Sequence, residues 1–302
     1  MLCVYRRLPM NAFSAATLDR AANLLDAHPD FRVLRRLPCA DWLHTGPVQG
    51  RMKVGVAIDV ETTGLDHDSD RIIELAVQRF RFDAMGQVTQ LGKARVWRED
   101  PDMPIDPRIT RLTGLEARDL EGQAIDEEAA VEILASADII VAHNAAFDRP
   151  FVDRRLPAIA GQPWACSMAE LDWLDLGFDG RALGHLVSQC GWFYEGHRAE
   201  NDILALIYLL AHETQDGQTV LARLMAASGR PSWRINAVDA PFEAKDMLKA
   251  RAYRWDGAMR FWWRTIPDEE LEAERTWLMQ EVYRGRGAPA CFPQTACDRY
   301  CR

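Results

Sequence analysis

What the chain lacks narrows it first. None of its seven cysteines (Cys3, Cys39, Cys166, Cys190, Cys291, Cys297 and Cys301) belongs to a Cys-x-x-Cys pair, and the number is odd. Both facts argue against a disulfide framework or a zinc ribbon. Long apolar runs are missing too: none approaches the roughly 20 residues that span a bilayer. The first ten residues carry Arg6 and Arg7 with no long apolar stretch behind them. A secretory signal is therefore not expected, and a cytoplasmic location is. There is no excess of positive charge. The net charge of −9 counts against a protein that coats long nucleic acid without specificity. Acidic residues gathered at one site lower a net charge without preventing local basic surfaces. Internal repeats and low-complexity stretches are also absent.

What is present fits a soluble globular chain of 302 residues, with 48% hydrophobic and 27% charged residues, enough for one large domain and a smaller one. Residues 1–50 read as an N-terminal extension, in which Ser14 caps a helix reaching Ala27 and residues 31–37 form a short strand or arm. Gly46, Pro47 and Gly50 mark a linker. Residues 54–60 are a continuous apolar run ending in an acid, as a central buried strand requires. Strands over 72–82 and 91–97 follow, joined by a turn at Met85-Gly86. A helix over 127–134, a buried strand over 138–142, a helix containing Phe147 and Phe151, an edge strand over 164–168 and helices over 180–190 and 199–213 complete the block. Strands first, then strand–helix alternation, predict an α/β fold with a mixed sheet flanked by helices over residues 51–213. A small α+β module follows over 219–285: a helix over 220–227, a strand over 232–238, a helix over 242–250, a hairpin turning at Asp256-Gly257 and an acidic helix over 268–283. Residues 286–302 read as a tail.

Three short patterns carry chemistry. In Asp59-Val60-Glu61 the two carboxylates alternate on a strand and so project to one side. Their repulsion is unfavourable unless a cation lies between them or one binds a proton. The same acids also suit a strand end that is merely solvated. Thr62-Thr63-Gly64 behind them is a turn with backbone N–H groups and hydroxyls to offer. In His143-Asn144-Ala145-Ala146-Phe147-Asp148 a buried strand ends, and Asn144 caps the segment after it. Pro150 places the helix start near Asp148, at the sheet edge. Asp148 is there either a metal-directed acid or a carboxylate on a helix dipole. In His197-Arg198-Ala199-Glu200-Asn201-Asp202 the spacing of five is a poor match for one helix face. His197 belongs on the loop before the helix and Asp202 in its first turns. An imidazole beside a fixed carboxylate suits general-base chemistry, although an exposed loop His with a capping acid gives the same pattern.

Together and in this order, the three patterns resemble the DEDDh exonucleases, the DnaQ-like family of the proofreading subunit of bacterial DNA polymerase III. The resemblance covers residues 52–213, and the His before the third acid favours this subgroup over relatives with Tyr there. It implies an RNase H-like fold and metal-dependent 3′→5′ release of mononucleotides from DNA or RNA 3′ ends. Two divalent ions about 4 Å apart serve such hydrolysis, and hard carboxylate oxygens suit Mg²⁺ or Mn²⁺. The resemblance assigns Asp59 to both ions, Glu61 and Asp202 to the catalytic one, Asp148 to the second, partly through water, and His197 to the proton of the attacking water. Thr62, Thr63, Gly64 and Leu65 would hold the terminal nucleotide, with Leu65 against a base, and Asn144 and Phe147 would lie near the scissile bond. One departure is Leu112-Thr113-Gly114-Leu115, where the family often has His-Gly-Ile-Thr.

Residues 223–264 hold nine basic and four acidic side chains, a basic stretch inside an acidic chain. Within it, Lys249, Arg251, Arg254 and Arg264 interleave with Tyr253, Trp255, Phe261, Trp262 and Trp263. Aromatic faces stack bases while cations hold phosphate; the plainer expectation puts Tyr253, Trp255 and Trp263 in the module's core. The module is thus a candidate nucleic-acid-binding unit that guides substrate. Alternative roles are a proofreading subunit of a polymerase, against which stands the lack of a clamp-binding segment, and a non-catalytic nucleic-acid-binding scaffold. No membrane contact is expected, and the sequence names no protein partner.

Overall fold

The computed structural model describes residues 14–37 and 43–301. The N-terminal stretch read for a secretory signal lies outside them, as do Cys3 and Cys39. Ser14 accepts from the Thr17 N–H at the start of α1 (Ala15–Asp26), as an N-cap serine does. The arm supplies β1 (Arg35–Arg36).

The chain then lays down β2 (Lys53–Thr62), β3 (Ile72–Phe82), β4 (Val88–Leu91) and β5 (Arg95–Arg98). Two short helices follow, α2 (Pro107–Thr113) and α3 (Ala117–Leu120), then α4 (Glu127–Ala135), β6 (Ile139–Ala142), α5 (Ala145–Arg155), β7 (Trp164–Cys166), α6 (Leu183–Gln189), β8 (Trp192–Phe193) and α7 (Ala199–Ala211). The main sheet runs β4-β3-β2-β6-β7, with β5 also on β3. β2 pairs antiparallel with β3 and parallel with β6, so the sheet is mixed, as expected. The strand expected over 91–97 is two strands, because the register against β3 slips by one residue between them, while the Gly92 N–H still donates to the Arg79 carbonyl.

β2 is apolar at successive positions because both its faces are covered. Val56, Ile58 and Val60 belong to the cluster that includes Phe151 and Val152 of α5. Ala57 belongs to the cluster that includes Ile203, Leu206 and Leu210 of α7. Each fully buried Ile or Leu contributes about 1.5–3 kcal/mol, so the two layers fix which side of β2 faces which helix. Gly55 leaves room for the Phe80 ring, which a Cβ would meet at 2.2 Å.

The second part comprises α8 (Val220–Ser228), β9 (Ser232–Ala237), α9 (Lys245–Ala250), β10 (Arg254–Asp256), β11 (Phe261–Pro267), α10 (Leu271–Trp277) and β12 (Ala290–Gln294). Its sheet runs β10-β11-β9-β12. Two boundaries differ from expectation. Val220, Leu221 and Leu224 of α8 pack in the α7 cluster, so α8 is bound to the larger unit by its apolar face. The tail expected over 286–302 is built into the fold: β12 pairs with β9, and the Trp164 N–H donates to the Ala296 carbonyl at 2.8 Å. The fully buried Arg149 guanidinium donates to the carbonyls of Ala296, Cys297 and Arg299. A buried cation needs such partners, and the last residues supply them.

Candidate active site

Asp59 and Glu61 continue the phase of Ala57, so they project from the face of β2 that α7 covers. Asp202 stands at the fourth position of α7. Oxygens of Asp59, Glu61 and Asp202 all lie within 4.8 Å of one another. Burial raises Asp59 well above the usual carboxylate range, and Asp148, Asp202, Glu61 and Glu74 push it further. Burial, then Asp202 and Glu74, bring Glu61 to about 8, against a lowering by Arg198. Asp202 is raised by burial, while hydrogen bonds from Tyr194 and the backbone and the proximity of His197 pull it back. Three crowded carboxylates whose protons are held this way form a hard-oxygen donor set suited to a divalent cation.

Asp148 is placed differently from expectation. Helix α5 starts at Ala145, three residues early, and Pro150 lies inside it. The missing proline N–H deprives only the carbonyl of Ala146, itself an exposed residue, of its helical donor. Asp148 is thus buried at 2% exposure and not at an open sheet edge. Its Oδ1 accepts from the Val60 N–H at 3.2 Å, and burial raises it to about 8. It lies beside the cluster, close enough to act on Asp59, and outside the converging trio. Asn144 has left-handed backbone and makes no side-chain cap, so the expected capping role does not hold.

His197 is exposed on the turn before α7, with φ +63°. That matches the expected placement on a loop, with Asp202 in the helix. The Arg198 N–H donates to Asp202 Oδ2 at 3.2 Å, which ties the turn to the helix.

The turn behind Glu61 is less open than its sequence suggests. The Thr62 hydroxyl donates to the Gly64 carbonyl at 2.5 Å. The Thr63 hydroxyl donates to Asp70 Oδ1 at 2.8 Å, and its N–H to the Arg71 carbonyl. Both threonines are buried, because the turn closes on its own polar groups. A Cβ on Gly64 would meet the Asp70 carboxylate at 2.4 Å. Leu65, in contrast, is 80% exposed. The Phe147 ring packs against His67 and Phe151.

Two site residues have no counterpart among those expected from sequence. Glu74 of β3 is opposite Glu61 in the register and fully buried. It accepts from Arg98 Nε at 3.3 Å, Arg198 Nη2 at 3.1 Å and the Ala199 N–H at 3.2 Å. Glu74 therefore fixes the start of α7 and the turn bearing His197. An acid inside Ile72-Ile73-Glu74-Leu75-Ala76-Val77 was the available signal. Tyr194 donates its hydroxyl to Asp202 Oδ1 at 2.9 Å, and burial beside Asp202 pushes the phenol above its ordinary range. His143 is structural: its ring contacts Ser167 Oγ and the Arg181 carbonyl, each at 2.8 Å, and burial lowers it to about 4. At the departing segment, Gly114 ends α2 in the left-handed region and Leu115 is buried, so the turn stands without the histidine.

The RNase_T family, described as an exonuclease, matches residues 56–210, just over half of the chain. The chain is 28% identical over 182 residues to the DNA polymerase III subunit epsilon of Treponema pallidum, across 54% of this chain and 80% of that protein. It is 31% identical over 115 residues to Ribonuclease T of Shewanella baltica, across 33% of this chain and 51% of that protein. A solved structure of Exonuclease X with 5′ overhanging duplex DNA aligns at 22% identity and a TM-score of 0.40, covering 56% of this chain and 99% of that one.

Proposed function

The chain belongs to the RNase_T exonuclease family, a metal-dependent 3′→5′ exonuclease by that membership, and we propose that the carboxylate cluster and His197 carry its chemistry. The observation that carries this reading is the convergence of Asp59, Glu61 and Asp202 oxygens within 4.8 Å. Asp59, Glu61 and Asp202 would hold one divalent ion, Mg²⁺ or Mn²⁺, and Asp59 with Asp148 a second. Bound there, such ions polarise the phosphate, lower the pKa of a water and stabilise the leaving oxygen.

The chain's own groups do the rest. His197, exposed on its turn, takes the proton of the water that attacks phosphorus; the bond to the 3′ oxygen of the preceding nucleotide breaks and a mononucleotide leaves. Tyr194 stays protonated and orients Asp202 by its hydrogen bond. Glu74 anchors Arg198 and so sets where His197 can reach. Leu65, exposed beside the cluster, packs on the terminal base, while the Thr62-Thr63-Gly64 turn presents backbone, its hydroxyls being engaged internally. Asn144 and Phe147, at the head of α5, contact the substrate near the scissile bond.

The substrate is the 3′ end of DNA or RNA. A panel of matched DNA and RNA 3′ ends with Mg²⁺ or Mn²⁺ tests the reading. Mononucleotide release by the wild type and none by Asp59→Ala supports it; equal release by both overturns the assigned site.

A further inference from the structure

The two faces of the C-terminal sheet differ in chemistry. On one, Ile235, Ala237 and Ile266 join Leu248 of α9 and the buried Leu278 and Val282 after α10. The other is set by the cross-strand register: Arg254 lies opposite Trp263, Trp263 opposite Asn236, Thr265 opposite Arg234, and Phe292 opposite Arg234. Directly opposed residues share a face. Arg254, Trp263, Arg234 and Phe292 therefore form a band across all four strands, with Phe261 on the same side. None of the three aromatics belongs to a hydrophobic cluster of the described residues, and Phe292 is 51% exposed. The expectation that Tyr253, Trp255 and Trp263 form the module's core holds for Tyr253 alone: Trp255 is 51% exposed and Trp263 is on the open face.

Charge and stacking point to one partner. The Arg234 guanidinium lies over the Trp263 ring at 4.4 Å, and that of Arg254 at 5.8 Å. The one carboxylate on this band, Asp256, is 3.9 Å from Arg234. Five other acids of the module, Asp268, Glu269, Glu270, Glu272 and Glu274, gather around α10, while Glu243 and Asp246 lie at α9 and Glu281 after α10. In a chain of net charge −9, this leaves a cationic, aromatic face that is partly open: Arg254, Thr265 and Phe292 are exposed and Arg234, Phe261 and Trp263 half-buried, while Ser232 and Asn236 are buried. Planar guanidinium and indole groups that are partly exposed suit alternating bases and phosphates. We propose that the open face of this sheet binds single-stranded nucleic acid, with bases stacked on Trp263, Phe261 and Phe292 and phosphates held by Arg234 and Arg254. It uses none of the catalytic carboxylates, so it is a second contact for the strand and its test needs no turnover.

The test is binding of a labelled single-stranded oligomer by the full chain in EDTA. Trp263→Ala is expected to weaken binding about tenfold, Trp263→Phe to keep most of it, and the Arg234→Ala, Arg254→Ala double variant to lower both affinity and salt dependence. Hydrolysis of a dinucleotide in Mn²⁺ is expected to stay at the wild-type rate in these variants. Near-UV circular dichroism checks the fold of Trp263→Ala; if it unfolds, the arginine variant decides alone. Unchanged affinity and salt dependence in the folded variants overturn the proposal and assign the face to a protein partner. Equal affinity for blunt duplex, whose bases are stacked away, also overturns it.

Discussion

At the scale of single residues, the site is a set of carboxylates held in unfavourable proximity. Glu61 and Asp148 are both raised to about 8. Between the ordinary carboxylate range and that value, the metal-free fold binds more protons than the unfolded chain, so its stability falls as pH rises. Thermal unfolding in EDTA is expected to show Tm dropping from pH 5 to pH 8, about where these groups ionise, and Mn²⁺ to flatten the slope. A flat or rising Tm in EDTA contradicts the arrangement. For His197→Ala, a proton acceptor is lost while the donor set is intact: kcat is expected to fall by about 10²–10⁴, with Mn²⁺ affinity by calorimetry unchanged. Loss of metal binding would move His197 out of the base role. Glu74→Gln removes the anion that two guanidinium groups share. Both guanidinium groups are about a third or more exposed and stay solvated without it, so the expected cost is about 1.5–3 kcal/mol; the readouts are a lower Tm and a drop in kcat with KM little changed. The convergence of Asp59, Glu61 and Asp202 and the loop position of His197 were legible because each residue belongs to a short pattern. Glu74 and Tyr194 were not, since Glu74 meets Arg198 across 124 positions of chain and a tyrosine has many other uses.

At the scale of elements, hydrophobic period told strands from helices well where an element is long. The strand over 72–82 is observed with those bounds. Short elements failed where tertiary packing outweighed local preference. Pro150 suggested a later start for α5, yet α5 begins at Ala145 because the buried Phe151 and Val152 fix the helix against β2 and β6. The C-terminal segment was read as a tail because its own composition gives no strong strand pattern. Its anchors are Arg149 and Glu170, far away in sequence; Arg299 and Tyr300 both reach Glu170. Deleting residues 295–302 strips the buried Arg149 of its carbonyl partners. Each hydrogen bond to a charged group is worth about 1.5–3 kcal/mol, so denaturant unfolding is expected to show a loss of about 3 kcal/mol or more. A truncated protein as stable as the full chain contradicts this docking.

At the scale of the whole molecule, the two larger sheets have different tasks and are joined through α8 and the last residues. The larger carries the carboxylate cluster and the smaller presents an aromatic, cationic face. The mixed sheet and the order of its motifs could be read directly, because buried strands and their terminal acids are local features. How the smaller sheet attaches could not, because it depends on α8 burying its apolar face against α7 and on Arg299, which donates to Ser232 Oγ at 3.1 Å and to the Ser228 carbonyl at 3.0 Å. The most direct test of the central claim is to follow a 5′-labelled oligomer with wild-type protein, Asp59→Ala protein and EDTA in parallel. The predicted result is a ladder shortening one nucleotide at a time from the 3′ end, seen only with wild-type protein and divalent metal. Internal cleavage, shortening from the 5′ end, or a ladder persisting in Asp59→Ala would contradict it.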